Sequence, residues 1–413
     1  MINWLKGFGV RVFLVGAILA FAGLVTASIL MAPGQVSAQE TEIVPLKIGY
    51  LDIEDDIRYV RAFVYARIPA VPRFHPLPGA EQGILDAQST GRFLGLDFEL
   101  VPFRGVDADA LISELFRQRD DEGINFFLVD AETHVIEALT EATKGSDILL
   151  FNVNNSSDSL RIENCASHLM HTAPSYNMMM DALTQYLIFQ DWSRLLVLKG
   201  PLQDDADMVA ALERSAKRNG ASIIDIRDFV LSNDPREREQ NNIRLMTAGR
   251  RDYDVVFIAD TDGEFGRYVP YQSVRPRPVV GTSGLVAEAW HWTFERHGAP
   301  QLNGRFFRSF DRFMTGPDWS AWAAVKAITQ ASIRAESLEF EAIRDIIKNE
   351  ELNMDTYKGF QSDFRPWNNQ LRQNLLVSVS NAVIARAPID KFEHAINDLD
   401  TLGIDEPENK CVF

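Results

Sequence analysis

Short apolar runs of strand length alternate with amphipathic helical stretches along most of this chain, and this constrains the fold more than any other feature. Leu46 to Asp52 (LKIGYLD) reads as a buried strand, and Pro78 to Gly91 as a helix with Ala80, Ile84, Leu85 and Ala87 towards a core. The pattern repeats with a strand at Asp97 to Phe103, a helix at Asp107 to Arg119, a strand at Asn125 to Asp130, a helix at Ala131 to Thr143 and a strand at Asp147 to Asn152. Continuous apolar runs of this kind are buried on both faces, so the spacing predicts parallel strands with helices on both sides of a sheet.

A polar stretch, Asn152 to Asn164, separates this series from a second. Met178 to Phe189, Asp205 to Asn219 and Arg238 to Ala248 read as helices. They alternate with strands at Leu195 to Lys199, Ser222 to Ile226 and Asp254 to Ala259. From Val279 the character changes. A segment rich in Trp and Phe leads to helices at Trp319 to Ala335 and Phe340 to Lys348, and Tyr357 to Val379 reads as two strands joined by a polar turn at Pro366 to Gln370. A return of helices after a second α/β series predicts a chain that crosses between two lobes more than once. Lobe 1 is expected from 45–160 plus 285–350, lobe 2 from 165–280 plus 351–385, and a carboxyl-terminal tail over 386–413. A cleft between such lobes is where a small molecule would bind.

At 413 residues, with 46% apolar and 24% charged residues, the chain has room for two ordinary globular domains. Its net charge of −17 becomes −19 once Lys6 and Arg11 of the leader are set aside, a field that repels phosphate backbones and argues against nucleic-acid binding. Those two cations precede an apolar run from Val12 to Ala32 and small residues at Val36-Ser37-Ala38, which reads as an export signal over residues 1–38. The run is long enough that an uncleaved membrane anchor is the alternative. Export to an oxidising compartment and a single pair of cysteines predict a disulfide between Cys165 and Cys411, with two unpaired thiols as the other reading.

No glycine-rich dinucleotide fingerprint, Walker loop, GxSxG elbow or HExxH is present. The turn after the first strand is Asp52-Ile53-Glu54-Asp55-Asp56, whose carboxylates would repel a pyrophosphate. Cys165, His168 and His171 have a metal-like spacing but lack a fourth ligand, so packing and disulfide roles outweigh zinc. Asp260 to Glu264 opens like a calcium loop without the later acids and reads instead as the turn leaving a strand, where open α/β sheets place their ligand loops. No nucleophile, base and orienting group fall together, so a non-enzymatic role is expected.

The richest polar cluster is FRPWNNQLRQ, from Phe364 to Gln373, because guanidinium groups bind carboxylates bidentately and an indole offers a face to a planar ring. Loop position and chemistry mark Asp130, Asn154, Arg161, Asp262, Arg267, Trp290, Arg365 and Trp367 as candidate ligand-binding residues. No catalytic or metal-binding residue is expected.

The segments IGYLDIEDDIRYVRAF, SSDSLRIENCASHLMHTAPSYNMMMDALTQYL, YDVVFIADTDGEFGRYVPY, FRPWNNQLRQ and LDTLGIDEPENKC carry a resemblance that covers nearly the whole chain after the leader. They resemble the type I periplasmic binding proteins, the leucine/isoleucine/valine receptor class. Within it they are similar to substrate-binding proteins of ABC transporters associated with pyrroloquinoline quinone-dependent alcohol dehydrogenase systems. The resemblance implies an α/β fold of two Rossmann-like lobes with a ligand cleft and multiple interlobe crossovers. It also implies a periplasmic solute receptor for an ABC transporter permease, with pyrroloquinoline quinone as the suspected ligand, no required cofactor, and a quinoprotein alcohol dehydrogenase as a further partner. A receptor for an amino acid or aromatic acid, and an exported cofactor chaperone or sensor acting with such a dehydrogenase, are the alternatives.

Overall fold

The computed structural model describes residues 45–60, 73–249 and 251–413, so the leader read at residues 1–38 lies outside the described residues. β1 (Leu46–Ile53), β2 (Phe98–Gly105), β3 (Phe126–Asp130), β4 (Leu149–Asn152) and β5 (Leu169–His171) form one parallel sheet in the order β2-β1-β3-β4-β5. Successive side chains feed opposite faces. Ile48, Tyr50, Phe126, Leu128 and Phe151 pack with Ile84, Trp290, Phe306, Trp319 and Trp322. Leu51, Phe127, Val129 and Leu150 pack with Leu111, Leu115, Ile136 and Leu139. Burial on both sides is why these strands read as unbroken apolar runs.

The second sheet is built alike. β6 (Arg194–Lys199), β7 (Ser222–Asp228), β8 (Val255–Ala259) and β9 (Val279–Gly281) run parallel in the order β7-β6-β8-β9. Leu195, Val197 and Phe257 face Met178, Leu183 and Leu187 of the Tyr176–Phe189 helix, while Leu196, Leu198 and Ile258 face Phe229, Ile243 and Phe265. After β10 (Val286–Glu288) come a two-stranded pair, β11 (Met354–Asp355) and β12 (Gln361–Ser362), and then β13 (Leu375–Val379) and β14 (Ala382–Ala387). β10, β13 and β14 form an antiparallel sheet.

Close helix packing explains two glycines in the Leu77–Phe93 helix. A Cβ on Gly79 would stand 1.9 Å from the Asp318 carbonyl oxygen, and one on Gly83 would stand 2.7 Å from Val325 Cβ, so only glycine lets the Gly316–Ala335 helix lie against it. Ala80 and Ile84 are buried there, whereas Leu85 is half exposed.

The chain passes between the two cores three times: from β5 into the Tyr176 helix, from β10 to Trp290, and from Leu371 into β13. Residues 165–171 lie with the first sheet through β5, and Leu352, Met354, Phe364 and Leu371 pack in the first core, so the second core begins at Tyr176 and resumes at Leu375. The helix expected over Arg238 to Ala248 is instead two single turns, Pro235–Arg238 and Ile243–Met246. Asn241 bonds both the N–H and the carbonyl of Val230, and Asn242 caps the second turn by accepting from Leu245 N, so the backbone leaves the helical path between them. In the region expected as two strands, Pro366 to Gln370 does turn, with Asn369 at φ 54° and a bridge between Phe364 and Leu371, but the longer pairing is β13 with β14 beyond it.

Candidate functional site

The strand order of the first sheet reverses between β1 and β3, and their carboxyl ends carry Asp52 and Asp130. Such a switch point leaves a crevice that neither flanking helix fills. The buried Asp130 carboxylate accepts from Tyr59 Oη at 2.6 Å and from Asn154 Nδ2 at 3.2 Å, and Arg58 Nη2 stands 2.9 Å away. Asn154 also donates to Tyr59 Oη at 2.7 Å. His75 stacks on Tyr59 with ring centroids 3.6 Å apart, and its Nδ1 lies 3.3 Å from Asp52 Oδ2 and 3.8 Å from Asp130 Oδ2. Arg104 closes the group with two bonds to Asp52, at 2.6 and 3.0 Å.

This network sets its own charge. Burial raises the Asp130 pKa, but Arg58, together with His75, Tyr59 and Asn154, holds it below the ordinary carboxylate value. Asp130 and Asp52 raise His75 to about 9, so the ring is cationic at neutral pH. Each cation of the group therefore stands against a carboxylate.

Asn154 also lines a half-open pocket of about 270 Å³ to which both cores contribute. Val153, Asn154 and Ser156 reach it from the end of β4, and Ala173 and Pro174 from the first crossover. Met179 comes from the second core, Glu288 and Ala289 from the second crossover, and Thr315, Gly316, Pro317 and Ser320 from the start of the Gly316–Ala335 helix. Among the described residues Glu288 is the single ionisable side chain in that lining. Burial raises it to about 7 against the opposing bond from Ser378 Oγ. The lining combines apolar walls with a few polar groups, the composition of a small-molecule site.

Of the residues marked from the sequence, Asp130 and Asn154 come together here. Asp262 is buried in the loop beyond β8, the second sheet's own switch point, beside Thr261, whose carbonyl accepts from Arg73 of the first lobe's chain. Arg267 sits on the short turn that follows, its guanidinium 4.8 Å from the Tyr268 ring.

The other four serve the interior. Arg161 is buried and donates to Gln370 Oε1 and to the carbonyls of Asn155, Ser157 and Ala173. Arg365 is buried and donates to Asp400 and to the carbonyls of Leu399, Leu402 and Ile404. Trp367 Nε1 donates to the Ile404 carbonyl, and the indole packs on Arg365 and Arg372. Trp290 is fully buried, stacks with Trp319 and donates to Asn303. Four of the five guanidinium hydrogens of Arg161, and four of those of Arg365, are engaged within the chain, which leaves little for a ligand carboxylate.

Arg58, Tyr59, His75 and Glu288 were not marked from the sequence. Arg58 and Tyr59 had a readable signal, since they follow the first strand of a parallel sheet directly. Glu288 had none, because its place in the cavity depends on a crossover.

The cysteines meet as expected. Cys165 and Cys411 form a disulfide with Cα atoms 5.8 Å apart, and His168 bonds Thr143 and the Thr140 carbonyl rather than completing a metal site.

Neither a protein-family model nor a curated sequence matches the chain. Solved structures do match in shape. A branched-chain amino acid ABC transporter periplasmic ligand-binding protein from Burkholderia xenovorans superposes with a TM-score of 0.64 at 12% identity, over 82% of this chain and 94% of that one. The chain has the fold of the type I periplasmic binding proteins. A leucine-, isoleucine-, valine-, threonine- and alanine-binding protein from Brucella ovis, in its closed conformation, gives 0.62 at 12% identity over 81% and 89%. A solute binding protein from R. palustris in complex with benzoate gives 0.59 at 11% over 90% and 100%.

Proposed function

We propose that the chain is an exported, non-enzymatic solute receptor that closes its two lobes on a small molecule beside Asn154 and presents it to an ABC transporter permease. The observation that carries this reading is the pocket of about 270 Å³, lined from both cores and holding one ionisable side chain among the described residues, on a fold whose neighbours include a protein named for binding leucine, isoleucine, valine, threonine and alanine and one solved with benzoate. The location outside the inner membrane rests on the leader and on these neighbours; no helix among the described residues is long and apolar enough to cross a membrane.

Pyrroloquinoline quinone, and with it a dehydrogenase partner, enters through the sequence resemblance alone. Three carboxylates need several available cations, whereas Arg161 and Arg365 are engaged inside the fold, and Arg58, His75 and Arg104 stand on Asp130 and Asp52. The shortage of available cations therefore counts more heavily against a tricarboxylate than against an amino acid or aromatic monocarboxylate, whose single carboxylate needs fewer donors. Calorimetric titration of the purified chain with pyrroloquinoline quinone, benzoate, 3,4-dihydroxybenzoate and leucine decides between them. Saturable binding of a small acid that is weakened in Asn154→Ala supports the proposal; tight binding of the quinone alone would reinstate the cofactor reading.

A further inference from the structure

The three crossovers are fastened to one another inside the protein. Buried Lys358 donates to the Ala289 carbonyl at 3.0 Å and to Gln373 Oε1 at 2.9 Å, with its ammonium 3.4 Å from the centroid of the Trp319 ring. Gln373 Nε2 in turn donates to the Thr172 carbonyl at 2.8 Å. One residue from each crossover thus meets in a single network, the arrangement of a hinge whose rotation is set by a few backbone positions.

The tail then crosses the same boundary a fourth time. Leu402 is in the second core, Gly403 N donates to Asp181 at 2.8 Å, and Arg214 and Arg218 donate to the Gly403 carbonyl at 2.9 and 2.8 Å. Asp400 and the carbonyls of Leu399 and Leu402 hold Arg365, whose neighbour Phe364 is in the first core. Glu408 bonds Arg214 at 2.5 Å, and three residues later Cys411 is covalently attached to Cys165, which precedes β5 of the first sheet. The Phe413 ring lies 5.9 Å from Lys348 Nζ on the Phe340–Lys348 helix, whose Ile343 and Ile347 are in the first core.

We infer that residues 398–411, closed by the disulfide, form a strap across the hinge that limits how far the two lobes open. A non-covalent hinge opens until its own backbone torsions resist, whereas a strap anchored in both lobes adds a covalent stop. The inference rests on the two-lobe fold, and its test is made on the ligand-free chain, so a failure of the solute reading leaves the measurement unaffected.

Small-angle X-ray scattering and amide hydrogen exchange are compared for the oxidised chain, for C165S/C411S, and for a variant with Gly-Ser-Gly-Ser inserted between Glu408 and Asn409. The insertion keeps the disulfide and its stabilising cross-link but adds up to about 13 Å of slack. Both variants are expected to show a larger radius of gyration than the oxidised chain, and about tenfold faster exchange at 172–175, 288–290 and 371–374. If C165S/C411S does not fold, the insertion variant decides alone. A folded insertion variant with unchanged scattering and faster exchange confined to 398–413 would make the disulfide a local clamp on the tail and overturn the strap.

Discussion

Around the crossovers, polar side chains are engaged within the chain: Arg161 and Arg365 each make four donor bonds, Gln373 donates to the Thr172 carbonyl, and Arg372 joins Asp400, Asp363 and Glu350. Around the pocket the walls are largely apolar, Glu288 accepts from Ser378, and Asn154 gives both Nδ2 hydrogens to Tyr59 and Asp130, which leaves its Oδ1 as the amide atom able to meet a solute. Both regions join the same two lobes, and both are rich in groups that could hold a ligand. The difference is where the partners come from. Fastening groups find theirs in the chain and cost stability when cut, whereas cavity groups keep part of their capacity for a solute and should cost affinity instead.

The largest effect that would break this comparison is at Arg365. Removing Arg365 takes one of two guanidinium partners from buried Asp400, which keeps Arg372, and a donor from the carbonyls of Leu399, Leu402 and Ile404, so Arg365→Ala is expected to lower unfolding stability by about 3 kcal/mol in urea denaturation. Solute affinity of the fraction that folds should be unchanged. A stable variant with lost binding would put Arg365 back in the cleft. Arg161→Ala should cost less, about 1–3 kcal/mol, because its acceptors are neutral oxygens rather than a carboxylate. The same denaturation series reads both, and a larger loss at Arg161 would reverse the ranking.

The arginine result shows what the sequence could and could not reveal. β1, β3, β4, β6 and β8 were legible because strands buried on both faces are written as unbroken apolar runs such as NFFLVD and DVVFIA. Asp130 was legible as the end of a strand, but its switch-point position needed the strand order of the folded sheet. FRPWNNQLRQ was legible as a polar centre but not as to its occupant, because a guanidinium meets a ligand carboxylate and a backbone carbonyl with the same donors. The acceptors of Arg365 lie at Leu399 to Ile404 and approach only when the tail folds back. Glu288 was illegible for a related reason. Its sequence neighbours are apolar, and the Ser378 bond that fixes it comes from β13.

On the cavity side, Asn154→Ala should weaken solute binding by about 1 kcal/mol, the net worth of one hydrogen bond, with a smaller change in stability than either arginine variant. Isothermal titration and urea denaturation on the same preparation separate the two quantities. A large stability loss with unaltered affinity would place Asn154 among the fastening groups and dissolve the contrast.

The smallest effect is a slope rather than a level. Burial in the cavity wall raises Glu288 from its ordinary value to about 7, so between roughly pH 4.5 and 7 the folded chain holds a proton there that the unfolded chain has released. The stability contributed by that proton is fully present below the unfolded pKa and is lost as pH rises through about 7. Asp158 and Asp260, each raised to about 6 by burial, bend the wild-type profile in the same direction, and His75 extends the fall towards 9. The difference between wild type and Glu288→Gln isolates the one group in the cavity lining. Glutamine has no proton to lose at this position, so Tm plotted against pH should be flatter for the variant between pH 5 and 8, with the two curves converging at the acid end. Parallel curves across that range would mean that the Glu288 carboxylate is already solvated or paired in the folded chain. In that case the cavity wall would be as fully satisfied as the crossover network, and the distinction between the two regions would have to rest on Asn154 alone.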